Sequence, residues 1–213
     1  MSSLPPRGLS VITSDALCRD ADTLLRGVTA ALRGGAVIVQ YRDKLNDAAT
    51  RLAQARRLQA LCREAGVPLI INDGPAALVA AEGFDGMHLG LDDGDLAAAR
   101  RLAPQALIGA TCGASLPRAL VAVQAGASYV AFGAFHPSDT KPLAAAAPIS
   151  LLREARAALS LPICAIGGIT PDNAQPLIEA GADYIAAIGG VFGVPDIEAA
   201  ARRYSDLFKV RIA

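Results

Sequence analysis

The chain has 213 residues, with 20 Lys and Arg set against 20 Asp and Glu and 53% apolar side chains. That balance excludes a polybasic or polyacidic binder of nucleic acid or anionic membrane, and it leaves a chain long enough to bury one large core. No apolar run approaches the roughly 18 residues of a membrane span, and MSSLPPRGLS at the start lacks the apolar stretch of a secretory signal, so a cytoplasmic location is expected.

Apolar, β-branched runs recur along the chain: LSVIT at 9–13, AVIVQYR at 36–42, PLIIND at 68–73, GMHLG at 86–90, ALIGATC at 106–112, YVAFGAF at 129–135, PICAIGG at 162–168 and YIAAIGG at 184–190. They are nearly continuous in apolar character, as strands covered on both faces are, and do not alternate like half-exposed antiparallel strands. Helical patterns lie between most of them. Leu24, Leu25, Val28, Ala31 and Leu32 share one face and stop at Gly34 and Gly35; Leu58, Leu61, Cys62 and Ala65 do the same before Gly66. The spacing leaves room only for short helices after the third and fourth strands. Ser115 with Pro117, and Thr170 with Pro171, read as helix starts. AGASYVA at 125–131 is echoed by AGADYIA at 180–186, an internal repeat of a helix end feeding a strand.

Eight strands alternating with helices predict an α/β protein built as a (β/α)8 TIM barrel, one domain over residues 1–213. The competing open, doubly wound sheet is disfavoured because no G-x-G-x-x-G follows the first strand. Cys18, Cys62, Cys112 and Cys164 form no C-x-x-C pair and read as reduced thiols in or near the core. With only His88 and His136 as histidines, a metal would be held mainly by oxygen.

In such a barrel the chemistry collects at the C-terminal ends of the strands, and the loops after strands 7 and 8 often bind phosphate through backbone N–H groups. The pairs Gly167–Gly168 and Gly189–Gly190 stand at those two places. After strand 2, Gln40, Arg42 and Lys44 fall on one side by strand alternation; only three lysines occur, at 44, 141 and 209. Strand 3 ends in Asn72 and Asp73, and strand 4 leads into Asp92 and Asp93. Carboxylates at adjacent strand ends repel unless a cation sits between them, and Mg²⁺ with one or two carboxylates plus phosphate oxygens is the usual solution. Helix capping is the competing reading of Asp92 and Asp93. Thr111 closes strand 5, and Ser138, Thr140 and Lys141 follow strand 6 with hydroxyls and a cation suited to phosphate.

QYRDK at 40–44, IND at 71–73, HLG followed by the acidic pair at 88–93, S-x-T-K at 138–141, AIGGIT at 165–170 and AGADYI at 180–185 together resemble the thiamine phosphate synthase family, over essentially the whole chain. The resemblance implies a transferase that joins 4-amino-2-methyl-5-hydroxymethylpyrimidine diphosphate to 4-methyl-5-(2-phosphoethyl)thiazole, releasing pyrophosphate. It implies that Gln40, Arg42, Lys44, Asn72, Thr111 and Lys141 bind the pyrimidine diphosphate, with Arg42, Lys44 and Lys141 assisting departure of pyrophosphate. Asp73 and Asp93 would ligate Mg²⁺, and Ser138, Thr140, Gly168, Ile188 and Gly189 would hold the thiazole phosphate. Three features depart from the family pattern: Leu91, where a polar residue is usual, Gly189, where serine is frequent, and the stretch Thr111-Cys112-Gly113-Ala114-Ser115, which is unusual for the family.

The implied partners are small molecules, without nucleic acid or membrane, and self-association into a homo-oligomer stays open. The nearest alternative is the related thiazole tautomerase on the same barrel. Its catalytic histidine would fall two residues before His136, where this chain has Ala134. A Schiff-base aldolase would need a lysine inside a strand in an apolar pocket, whereas Lys44 and Lys141 lie in polar loops. A non-catalytic phosphate-binding relative is the third alternative.

Overall fold

The computed structural model describes residues 3–90, 93–137 and 146–209. Eight parallel strands follow chain order around a closed barrel, and the last pairs with the first. They are β1 (Gly8–Ile12), β2 (Ala36–Tyr41), β3 (Leu69–Asn72), β4 (Gly86–Leu89), β5 (Leu107–Gly113), β6 (Tyr129–Phe132), β7 (Ile163–Ile166) and β8 (Tyr184–Ala187). Each lies within or beside one of the eight apolar runs. The helices are α1 (Asp15–Cys18), α2 (Ala21–Arg33), α3 (Ala48–Ala65), α4 (Ala76–Glu82), α5 (Leu96–Leu102), α6 (Leu116–Gln124), α7 (Ser150–Ala158), α8 (Gln175–Glu179), α9 (Gly189–Phe192) and α10 (Ile197–Asp206). None among the described residues is long and apolar enough to cross a membrane.

The strands are apolar on both faces because each face has its own core. Ile12, Ile38, Ile70, Leu107, Tyr129, Ala131, Cys164, Tyr184 and Ala186 fill the barrel interior. Leu9, Val11, Val39, Leu69, Ile71, Met87, Ile108, Val130, Ile163 and Ile185 point outward, into a larger core shared with the helices. This inward parity carries on to the strand ends. Two residues beyond Ile38 lies Gln40, two beyond Ile70 lies Asn72, four beyond Leu107 lies Thr111, and two beyond Ala186 lies Ile188, so all four stand on the interior face at the same end. All four cysteines are buried and free, in line with reduced core thiols.

Local chemistry explains most helix boundaries. Asp20, Asp47 and Ser115 accept from the N–H of Thr23, Thr50 and Arg118, closing the first turns of α2, α3 and α6. The helices after β3 and β4 have 7 residues each, as the spacing required. Thr170 and Pro171 do not begin a helix. Asn173 accepts from the Thr170 N–H (2.8 Å) and donates to the Gly168 carbonyl (3.1 Å), closing a turn, and α8 starts only at Gln175, with Pro176 in its first turn. The capping of α5 belongs to Asp95, which accepts from the Ala97 N–H at 2.8 Å, so Asp93 is not the cap.

The repeated segments serve the barrel floor. Ser128 Oγ accepts from an N–H at the start of the preceding strand, at Ile108 (3.0 Å), and Asp183 Oδ2 does the same at Ile163 (2.9 Å). Asp85, two residues past Gly83 as Asp183 is past Gly181, fastens Leu69 in the same way at 2.9 Å. Arg100 and Arg156 bind Ser128 and Asp183 respectively, which makes this end of the barrel a structural one.

Candidate active site

At the opposite end, β2 delivers Gln40, Arg42 and Lys44. Gln40 is buried and donates from Nε2 to Asn72 Oδ1 on β3 at 2.7 Å. Beyond the strand, the chain is turned by Asp43, whose buried carboxylate accepts from the N–H groups of Leu45 (2.9 Å) and Asn46 (3.1 Å) and from Asn46 Nδ2 (2.8 Å). Burial works to raise the Asp43 carboxyl, but these hydrogen bonds outweigh it and hold the group below its ordinary range. The turn is also gripped from β1. Thr13 Oγ1 accepts from the Arg42 N–H and donates to the Arg42 carbonyl, both at 2.8 Å, while Asp15 Oδ1 accepts from Arg42 Nη1 (3.2 Å) and from the Lys44 N–H (2.9 Å). Two cationic side chains are thereby set on one rim.

Lys44 reaches Asp73, with an ion pair between Nζ and Oδ2. Asp73 adopts φ of 51°, a left-handed backbone uncommon for a residue with a side chain, and its N–H donates to the His88 carbonyl at 2.9 Å. Asp93 approaches from the β4 side, its Oδ2 accepting from the Gly90 N–H at 2.6 Å, which brings its carboxyl beside that of Asp73. The two carboxyls respond oppositely. Burial tends to raise Asp73, but the hydrogen bonds with Asp93 and Lys44 and the lysine charge prevail and hold it low; the hydrogen bond to Asp73, then burial, push Asp93 up. Such a pair shares a proton or a cation.

The donor chemistry of that pair fits Mg²⁺. Both groups are hard oxygens, and among the described residues no set of three or more His, Cys, Asp and Glu side chains forms a complete cage. Two carboxylates with substrate oxygens and water filling the remaining positions is the manner in which Mg²⁺ is ordinarily held.

Thr111 Oγ1 lies at hydrogen-bond distance from His88 Nε2, 2.8 Å. Across the mouth, Gly168 has φ of 58°, and Ile188 leads into Gly189 and Gly190 at the start of α9, where the first N–H groups lack an intrahelical partner. The loop after β6 is tied to β7 by the N–H of Phe135 to Ile166 (3.2 Å) and of His136 to Gly167 (3.0 Å). Ser138, Thr140 and Lys141 of the expected site, with Leu91 and Asp92, lie outside the described residues.

A family model described as thiamine monophosphate synthase matches residues 9–191. This chain belongs to the thiamine monophosphate synthase family. Within it, the chain is 52% identical over 203 residues to the thiamine-phosphate synthase of Aromatoleum aromaticum, covering 95% of this chain and 96% of that one. It is 53% identical over 211 residues to that of Chromobacterium violaceum, covering 98% and 100%. Among solved structures, thiamine phosphate pyrophosphorylase from Pyrococcus furiosus superposes with a TM-score of 0.85 at 31% identity, covering 96% of both chains.

Against the barrel of a thiamine monophosphate synthase, the sequence reading located Gln40, Arg42, Lys44, Asn72, Asp73, Asp93, Thr111, Gly168, Ile188 and Gly189 at one end; hydrogen bonds join Gln40 to Asn72 and Lys44 to Asp73, and Asp93 stands beside Asp73. Arg42 turns toward Asp15, a residue that reading missed together with Thr13 and His88. The signals were present. Thr13 ends the first apolar run, with Asp15 two residues on, just as Arg42 ends the second, and His88 stands two residues beyond Gly86 on an inward parity.

Proposed function

We propose that this enzyme is a thiamine-phosphate synthase that joins the pyrimidine diphosphate to the thiazole phosphate and releases pyrophosphate, with its site in the ring of residues described above. The observation that carries the reading is the continuous contact from Lys44 through Asp73 to Asp93 beside the half-buried Gln40–Asn72 pair. It sets fixed charge and a neutral hydrogen-bonding surface at one barrel mouth.

The proposed reaction is dissociative. The bond from the methylene carbon to the diphosphate oxygen breaks first, the ring amino group stabilises the pyrimidinylmethyl cation, and the thiazole nitrogen then captures it. No protein nucleophile is required, so the demand on the protein is to stabilise negative charge accumulating on pyrophosphate and to hold two substrates in line. Arg42 and Lys44 supply positive charge on a rim already ordered by Asp15, Thr13 and Asp43, with little reorganisation left for the reaction. Lys141 is assigned to the same group, and Ser138 and Thr140 to the thiazole phosphate. Gln40 and Asn72, locked to each other, offer their remaining amide donors and acceptors to the pyrimidine diphosphate. Asp73 and Asp93 would hold Mg²⁺, which when bound neutralises charge on the departing diphosphate. Backbone N–H groups at Gly168 and Gly189 are assigned to the thiazole phosphate. Thiazole tautomerisation is the less favoured reading, since Ala134 carries no group able to move a proton.

Purified protein mixed with both substrates and Mg²⁺ is expected to release one pyrophosphate per thiamine phosphate, to stop on addition of a chelator, and to release none with either substrate alone. Binding of both substrates without turnover, or isomerisation of the thiazole phosphate alone, would remove the assignment.

Gly189 gives a separate test. A Cβ at this position meets nothing within 4 Å, and its backbone is not left-handed, so a side chain fits without strain. Gly189→Ser is expected to lower the KM for the thiazole phosphate several-fold by adding one hydroxyl donor to a charged oxygen, about 1 kcal/mol. An unchanged or raised KM would place the phosphate elsewhere.

A further inference from the structure

The hydrogen bonds behind Thr111 determine which way its hydroxyl faces. Tyr129 projects into the barrel interior, where it is 3% exposed, and its hydroxyl lies 2.9 Å from His88 Nδ1. The ring is held edge-on by Tyr184 at an interplanar angle of 81°. Residue 109 must be glycine for this pair to exist, because a Cβ there would stand 2.1 Å from Tyr129 Cζ and 2.5 Å from His88 Nδ1. Burial keeps the phenol protonated by pushing it well above its ordinary value. Among the described residues, the only acceptor at hydrogen-bond distance from that O–H is His88 Nδ1. Leaving a buried donor unpaired costs on the order of 1–3 kcal/mol, so the phenol donates and Nδ1 accepts.

The rest follows by proton accounting. With Nδ1 bare, the imidazole carries its hydrogen on Nε2, which donates to Thr111 Oγ1 at 2.8 Å. Thr111 then receives on its oxygen and has its own hydrogen left to give. No acceptor among the described residues takes it, and the side chain is half-buried near the C-terminal end of β5, beside β4. We infer that Tyr129 and His88 are positioning residues that fix the Thr111 hydroxyl as a hydrogen-bond donor to an oxygen of the diphosphate. Without the tyrosine, the imidazole is free to take the opposite tautomer, and Thr111 would then spend its hydrogen on Nε2. The inference rests on the thiamine-phosphate synthase reading for the identity of the ligand, and on the interior geometry alone for the tautomer.

The test compares the native chain with Tyr129→Phe, Thr111→Val and the double variant. Side-chain ¹⁵N NMR reads the tautomer; with two histidines in the chain, His136→Gln assigns the spectrum. Calorimetry with Mg²⁺ and inorganic pyrophosphate reads affinity, and pyrophosphate release reads turnover. The native spectrum is expected to show His88 protonated at Nε2 and bare at Nδ1, shifting to a mixture in Tyr129→Phe. Pyrophosphate affinity is expected to fall about tenfold in Thr111→Val, as for one hydrogen bond to a charged oxygen, and several-fold in Tyr129→Phe. The double variant should be no worse than Thr111→Val, because the tyrosine acts through the threonine.

A native His88 protonated at Nδ1, or single effects that multiply in the double variant, overturns the inference. Should Tyr129→Phe not fold, the native spectrum and Thr111→Val decide it alone. A native enzyme that shows this tautomer and these affinities but releases no pyrophosphate from the substrate pair refutes the synthase reading and leaves the positioning intact.

Discussion

Lys44→Ala is expected to slow pyrophosphate release by about 10²–10³-fold, the usual cost of removing one fixed group that faces developing negative charge. Lys44 is the side chain that links the β2 rim to the carboxyl pair, through its ion pair with Asp73. Its loss leaves Asp73 and Asp93 with less positive charge beside them, so apparent Mg²⁺ affinity should hold or rise while kcat falls. Asp93→Ala should do the reverse, losing response to Mg²⁺ along with rate. Titrating Mg²⁺ in both variants separates these effects. A Lys44→Ala enzyme restored to native rate by excess Mg²⁺ would make the lysine a counter-ion to the carboxyls and nothing more, and an Asp93→Ala enzyme with normal Mg²⁺-dependent turnover would remove Asp93 from the site.

Gly168→Ala is expected to damage the opposite wall of the mouth. At φ of 58° any side chain adds on the order of 1–2 kcal/mol of backbone strain. The added Cβ would also lie 2.2 Å from the Pro137 carbonyl oxygen and 2.7 Å from that of His136. These are backbone atoms, so relief requires the loop after β6 to withdraw from β7, weakening the His136 N–H to Gly167 bond that ties them. That loop leads directly into Ser138, Thr140 and Lys141. The expected result is a KM for the thiazole phosphate raised at least tenfold and a Tm lower by several degrees, at about 2–4 °C per kcal/mol for a chain of this size. Steady-state kinetics with each substrate varied in turn, alongside thermal unfolding, check it. A variant with native KM for the thiazole phosphate would show that Gly168 is only a strand terminator.

These expectations depend on features of very different legibility. Eight strands could be read from the chain because parallel strands buried on both faces leave unbroken apolar runs; Gln40, Arg42 and Lys44 followed from strand alternation, and Asn72 from its place at the end of an apolar run. The turn at Thr170 was less legible. Its Pro and hydroxyl satisfy the local signature of a helix start, but the Asn173 side chain captures both the Thr170 N–H and the Gly168 carbonyl and delays the helix. Asp95 similarly takes the capping role that Asp92 and Asp93 were candidates for, which frees Asp93 for Asp73.

What the amino-acid order determined unaided was therefore the barrel and the end of it that carries chemistry, since hydrophobic period and strand parity are local properties written in consecutive residues. Tertiary structure alone decided the partnerships: Asp15 with Arg42 and Lys44, Lys44 with Asp73, and His88 with Tyr129 and Thr111. Those contacts span 23 to 41 residues of chain, and closure of the barrel brings them within hydrogen-bond range. No local pattern encodes which charged or polar group will stand beside another, because that depends on how adjacent strands align when the cylinder closes.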